Sequence, residues 1–292
     1  MNNIFYEAIL SEKEPMYDLA VESEKGIDLW RAPSCNNANN SHSVTKMFIS
    51  VAIGQLWDAG KISLDDKVTA FFKKECFPED MDEKWNLVSV DMALRHLTGI
   101  DTIPYGVDND DDIEKIGKDY LKYVFSLKIE HEPGTFYKYS DAAYYLLGRI
   151  IHSVTGLYAD EYLKINIFDP LSFRQWAMAK CPMGHPICGG GFFARSDDTV
   201  KLGFCLANGG VYNEKRIVSK EYVDMAMQRD YACTRFRRTS IFLKTGAQGQ
   251  IVAFSKEKKI AASWHGASTD GGGRNDRLLI AFAKVLGEDY ND

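Results

Sequence analysis

The sequence predicts an α+β fold: an antiparallel sheet built from both ends of the chain, flanked by helices, with a mostly helical subdomain inserted in it. Three observations predict it. Strand-like segments around a turn glycine lie near residues 15–32, a second strand pair around a charged turn lies near 249–264, and helical spacing dominates between them. With 292 residues and 45% hydrophobic content the chain can bury one large core. It is therefore read as a single domain over 1–292. The sheet part covers about 1–45 and 190–292, and the helical part about 46–189. A cleft where the two parts meet is the expected site.

In chain order, Leu19-Ala20-Val21 and Ile27-Asp28-Leu29-Trp30, separated by Gly26, suit a hairpin. A turn-rich loop from Pro33 to His42 then leads into a helix starting near Ser43, with Gly60 as its C-terminal stop. Ser63 to Val68 opens a turn and short helix, and Val90 to Leu97 has helical spacing before Thr98-Gly99. Pro133-Gly134 precedes a helix from Ala142 to Ile151. After the glycines 189–191 comes a helix through Val200 to Leu206. The runs Gly249–Phe254 and Ile260–Trp264, joined by the turn Ser255–Lys259, read as an antiparallel hairpin. The apolar positions from Leu278 to Leu286 make a last helix, with Asn275 or Asp276 as its cap.

Charge and cysteine usage narrow the function. Thirty-five basic against 41 acidic residues leave a net charge of -6, and no basic cluster is interleaved with aromatics, which argues against a nucleic-acid surface and for a small-molecule substrate. Met1 to Glu7 lacks a basic and apolar leader pattern, and no run approaches eighteen apolar residues, so a cytoplasmic protein without a membrane span is expected. Six scattered cysteines read as reduced thiols; no metal site and no cofactor is expected. The acidic run Asp108–Asp112 lacks the glycine and terminal glutamate of a calcium loop and reads as solvated. No pattern sets an oligomeric state.

Ser43-Val44-Thr45-Lys46, followed at once by Met47, Phe48, Ile49 and Val51, puts a hydroxyl and an amine three residues apart at the start of a buried helix. That spacing can activate a serine nucleophile, and the helix N-terminus favours a nearby oxyanion. Taken alone, it more often describes a helix cap beside a solvated lysine. Tyr139-Ser140-Asp141, at a loop-to-helix junction, offers a phenol that can relay protons, although a tyrosine there also serves as a boundary residue. Lys244-Thr245-Gly246-Ala247, before the strand carrying Gln250, can hold an anionic group. Gly246 lets a substrate approach the backbone and the next N–H can face an oxyanion.

In this order the three motifs resemble those of the serine β-lactamase and penicillin-binding-protein superfamily, and more closely its class C branch with related esterases and D-aminopeptidases. The resemblance runs over roughly residues 20–290. It implies a β-lactamase/transpeptidase-like fold and a serine hydrolase acting through an acyl-enzyme on a small amide, ester or β-lactam. Ser43 would be the nucleophile, Lys46 would help remove its proton, and Tyr139 would relay protons and serve as base in deacylation. Lys244 would favour the Tyr139 phenolate and help hold a substrate carboxylate, with Thr245 adding a hydroxyl beside Gly246. The N–H groups of Ser43 and Ala247 would form the oxyanion hole. A penicillin-binding or sensor module that acylates on Ser43 without turnover is the alternative, and a silent binding homologue a third.

Asp141 departs from the family pattern, which has asparagine there. The carboxylate loses an amide donor and adds a negative charge beside Lys46, which weakens the case for β-lactam hydrolysis and suggests a substrate bearing an amine. Reading Ser140-Asp141-Ala142 as a class A Ser-Asp-Asn motif lacks a deacylating glutamate segment to go with it. His265 is a weaker candidate because Lys244 already fills its role, and His96 and His152 read as structural. Tyr105, Trp264 and the Gly189–Phe193 loop are secondary candidates to line the cleft.

Overall fold

The computed structural model describes residues 16–33, 35–101, 116–268 and 273–290. Its strands are β1 (Met16–Ser23), β2 (Gly26–Arg31), β3 (Asn39–Asn40), β4 (Trp176–Met178), β5 (Phe192–Ala194), β6 (Val211–Tyr212), β7 (Lys215–Arg216), β8 (Thr234–Arg235), β9 (Ile241–Gly246), β10 (Gln250–Ser255) and β11 (Ile260–Gly266). The α-helices are α1 (Thr45–Asp58), α2 (Val90–Leu94), α3 (Tyr120–Ser126), α4 (Asp141–Thr155), α5 (Ala159–Leu163), α6 (Ser196–Ala207), α7 (Lys220–Arg229) and α8 (Gly273–Leu286). The chain divides into two compact units, one of residues 1–44, 170–177 and 193–292, the other of 45–169 and 178–192.

The first unit is built on a six-stranded antiparallel sheet in the order β2-β1-β11-β10-β9-β8. Strands from both ends of the chain meet at its centre, where Leu19 faces Trp264 and Val21 faces Ala262. Side chains alternate across the sheet, so the register assigns each residue to a face. Leu19, Val21, Ile251, Ala253, Ala262 and Trp264 form one buried face with Leu278, Leu279, Phe282 and Ala283 of α8. Burying each such leucine or phenylalanine contributes about 1.5–3 kcal/mol. The opposite face meets α6: a Cβ on Gly203 would lie 2.9 Å from Val252, and Thr199 and Ser263 share a hydroxyl hydrogen bond of 2.7 Å.

Two sequence expectations change here. Helix α8 begins at Gly273, so Asn275 and Asp276 sit inside its first turn rather than capping it. Trp264 is fully buried in the α8-facing core and lines no cleft, because it sits at an inward position of a central strand. Tyr105 and the Asp108–Asp112 run lie outside the described residues.

The second unit is mostly helical. Helix α1 is buried along nearly its whole length, as a helix apolar on all sides must be. Its Phe48 packs against Phe168 and Phe192 at ring separations of 5.8 and 4.9 Å. The helix stops where Gly60 takes φ +64°, with Lys61 N–H returning to the Leu56 carbonyl, the glycine stop predicted from sequence. Ser140 caps α4 by accepting from Ala143 N–H at 3.3 Å, and Gly156 at φ +77° ends it. No helix of the described residues is long and apolar enough to cross a membrane. Among those residues no three His, Cys, Asp or Glu side chains are grouped to hold a metal, and all six cysteines are free thiols.

Candidate active site

In the sheet unit, Ser43 is the middle residue of a 3-10 turn, His42–Val44, that runs directly into α1. From Ser41 to Gly54 every residue is buried except Ser43, which is half-buried. A nucleophile needs access, and Ser43 is the residue of this segment that keeps some. His42 holds the left-handed conformation, φ +46°, which a β-carbon disfavours. Its N–H is satisfied by Asn40 Oδ1 at 2.9 Å, and Val44 N–H returns to the Ser41 carbonyl at 3.1 Å.

The Lys244-Thr245-Gly246 segment ends β9. Strand β8 pairs with β9 only at Phe242 and Leu243, whereas β10 pairs with it as far as Gly246. Lys244 to Gly246 therefore carry a strand partner on one side only among the described residues. Register places Lys244 on the face of Val252 and Ser263, and Thr245 on the face of Ile251. At Gly246 a Cβ would lie 2.4 Å from the Ser41 carbonyl oxygen and 3.1 Å from His42 Cβ, so only glycine lets this strand end approach the Ser43 turn. Ala247 begins the following 3-10 turn and is exposed.

In the helical unit, Lys46 in the first turn of α1 is fully buried. Its Nζ donates to the Asp141 carboxylate and to the Gly189 carbonyl, and it lies 4.7 Å from the centre of the Tyr139 ring and 5.6 Å from that of Tyr144. Burying an amine is costly unless hydrogen bonds and an opposite charge compensate it, and here both do. Asp141 is the first residue of α4, where the exposed amide ends favour a carboxylate. Gly189 is required beside it, since a Cβ there would sit 2.7 Å from Asp141 Cβ.

The sequence-predicted residues thus gather in two groups. Lys46, Tyr139 and Asp141 come together within the helical unit, and the Ser43 turn meets Gly246 within the sheet unit. Two histidines proved more involved than expected. His96, at φ +59°, sets its ring, tilted by 34°, 4.5 Å from that of Tyr139 and accepts Ser140 N–H at Nδ1, 3.1 Å away, which fixes the Tyr139-Ser140-Asp141 junction. His265 is buried between Asp18 and Ser41. The signal available in sequence was its place two residues after Ser263 on a buried strand, with Asp18 in a similar strand at the other end of the chain.

Asp18 is held below the usual carboxylate range: burial pushes its pKa up, but the His265 hydrogen bond and charge, the Ser196 N–H and the Arg31 guanidinium outweigh it. It is therefore an acceptor for His265 Nδ1–H.

A family model described as Beta-lactamase matches residues 40–283. Over 164 residues the chain is 27% identical to the N-acetylmuramyl-L-alanine amidase of Bacillus subtilis (strain 168), a match taking in 51% of this chain and 36% of that protein. The chain thus spans about a third of that relative's length. Among solved structures, the octameric penicillin-binding protein homologue from Pyrococcus abyssi has a TM-score of 0.74 at 21% identity, covering 97% of this chain and 76% of that one. A family VIII carboxylesterase has a TM-score of 0.75 at 16% identity, covering 96% of both chains. The structural likenesses show a common fold, and the family model takes in the three motifs and most of the chain; the chain belongs to the beta-lactamase family.

Proposed function

We propose that the protein is a serine hydrolase that forms an acyl-enzyme on Ser43 and acts on a small ester or amide, β-lactams included. The observation that carries this reading is the fully buried Lys46, held by Asp141 and Gly189 with its Nζ against the Tyr139 ring, three residues after the half-buried Ser43. A lysine used only for solubility would sit in water. In this reading Ser43 Oγ attacks the substrate carbonyl carbon and its proton passes to Tyr139 acting as the base, with the Asp141-paired Lys46 ammonium beside the ring stabilising the phenolate. The C–O or C–N bond then breaks, the leaving group takes up that proton, and water cleaves the acyl ester to restore Ser43. Lys244 holds an anionic substrate group. The N–H groups of Ser43 and Ala247 stabilise the oxyanion, each worth about 10²–10³ in rate.

The amide and ester classes are supported by the family and by the names of the amidase and carboxylesterase it resembles. A second reading, acylation without turnover, is supported by the name of the penicillin-binding protein homologue that the fold resembles. Intact-mass spectrometry after exposure to activated esters, D-amino-acid peptides and β-lactams tests both. Product with wild type and none with Ser43→Ala supports the hydrolase. A stable adduct with no product supports the second reading, and neither adduct nor product from wild type rejects both.

A further inference from the structure

Behind the Ser43 turn lies a line of three buried polar side chains drawn from distant parts of the chain. His265 Nδ1 is 2.8 Å from Asp18 Oδ1, and its Nε2 is 2.9 Å from Ser41 Oγ. Asp18 and Ser41 are fully buried and His265 is 2% exposed. Ser41 therefore cannot meet a substrate, although the order of groups is that of a serine hydrolase triad. Because Asp18 accepts the Nδ1 proton, Nε2 is left facing the Ser41 hydroxyl, so the orientation of the imidazole is set from behind.

What the line does follows from what Ser41 touches. Its carbonyl closes the turn by accepting Val44 N–H, and that same oxygen is the atom a Cβ on Gly246 would strike. The next residue, His42, is in the left-handed region, which costs about 1–2 kcal/mol for a residue with a β-carbon and persists only when its surroundings impose it. The Asn40 side chain holds one end of this bend through His42 N–H. The Ser41 hydroxyl, gripped by His265, holds the other. Asp18 is in turn anchored by Ser196 N–H at 3.5 Å and by Arg31 at 3.6 Å, so the line ends in the framework of α6 and β2 rather than in solvent.

We infer that His265, backed by Asp18, is a positioning residue that grips Ser41 and thereby aims the Ser43 hydroxyl. The inference rests on Ser43 being the nucleophile. Buried polar lines are dispensable for stability when apolar groups of the same shape can replace them, but an apolar replacement supplies no direction to the turn.

The test is the single-turnover rate at which a p-nitrophenyl ester acylates Ser43, read by intact mass across ester concentrations, with melting temperature measured alongside. Ser41→Ala deletes one oxygen and should fold. Its limiting acylation rate should fall about 10- to 100-fold, the scale of a misaimed catalytic group, with the half-saturating ester concentration changed less than about twofold. His265→Gln, whose amide reaches the imidazole Nε2 position, should recover most of the rate that His265→Leu loses. Folded Ser41→Ala acylating at the wild-type rate overturns the inference while leaving the nucleophile assignment standing. Wild type that never takes the acyl mass at Ser43 overturns the assignment, and the inference with it.

Discussion

Lys46, with no exposed side-chain surface, is ion-paired with Asp141, whose side chain keeps 18% of its surface exposed. The partly open partner is the adjustable one. Asp141→Asn keeps an oxygen toward Lys46 and supplies an amide donor toward substrate. Turnover of a chromogenic cephalosporin is expected to rise about tenfold, the value of one hydrogen bond, while an amine-bearing ester is turned over more slowly. Unchanged steady-state rates on both substrates would count against a selective role for the carboxylate. Asp141→Ala leaves Lys46 with only the Gly189 carbonyl among these two acceptors. It is expected to cost about 3 kcal/mol in denaturant unfolding, the low end for breaking a buried pair because Asp141 is not fully enclosed.

Gly246→Ala directs its new methyl group at the Ser41 carbonyl, a backbone atom that can move only if the Ser43 turn moves. The expected result is a loss of about 100-fold in kcat/KM with a stability change of about 1–3 kcal/mol. Steady-state kinetics beside a melting curve separates the two. A variant that melts earlier yet keeps full activity would show that the strand rather than the turn gives way.

Trp264 fills the sheet core with its indole Nε1 buried and without a hydrogen-bond partner. Trp264→Phe removes that stranded donor together with part of the ring, so the two effects oppose each other and the cost should stay under about 1.5 kcal/mol. Trp264→Ala has no such offset and is expected to cost about 3–5 kcal/mol. Urea unfolding of the pair checks the contrast.

The sheet was legible because its strands carry their own signals: β1 and β2 around Gly26, and β10 and β11 around a charged turn, pair as their alternation predicts. Lys46, Tyr139 and Asp141 were legible because each sits at a loop-to-helix junction within a motif of fixed spacing. The sequence ranks His265 low and offers Gly189 only as part of a loop lining the cleft. Their importance comes from contacts across long sequence separations, Asp18 and Ser41 for the one and Lys46 for the other, which no local pattern encodes. Trp264 misled for the same reason. An aromatic at the end of a strand reads alike whether it faces a helix or an opening, and only pairing with Leu19 and Ile251 settles which face it takes.

Glu22 gives the protein a pH dependence far from the candidate nucleophile in sequence. Burial pushes its pKa from 4.5 up to about 7, against the Tyr212 hydrogen bond and the Lys201 charge, which pull it down. Tyr212 OH donates to Oε1 at 2.9 Å, whereas Oε2 is buried without a partner. Between these two values the folded chain keeps a proton that the unfolded chain has released, so the unfolded state binds fewer protons and stability must fall as pH rises. The contribution is fully present below 4.5, is lost as pH climbs to about 7, and stays lost above it, at about 1.4 kcal/mol per pH unit within the window. Glu22→Gln is neutral throughout and should remove this slope. Urea unfolding at pH 5, 6, 7 and 8 is expected to show wild type losing up to about 3 kcal/mol relative to the variant between pH 5 and 8. A constant difference between the two proteins over that range would mean that Glu22 is ionised in the fold at pH 5, and that its buried oxygen is compensated by a partner outside the Tyr212 bond.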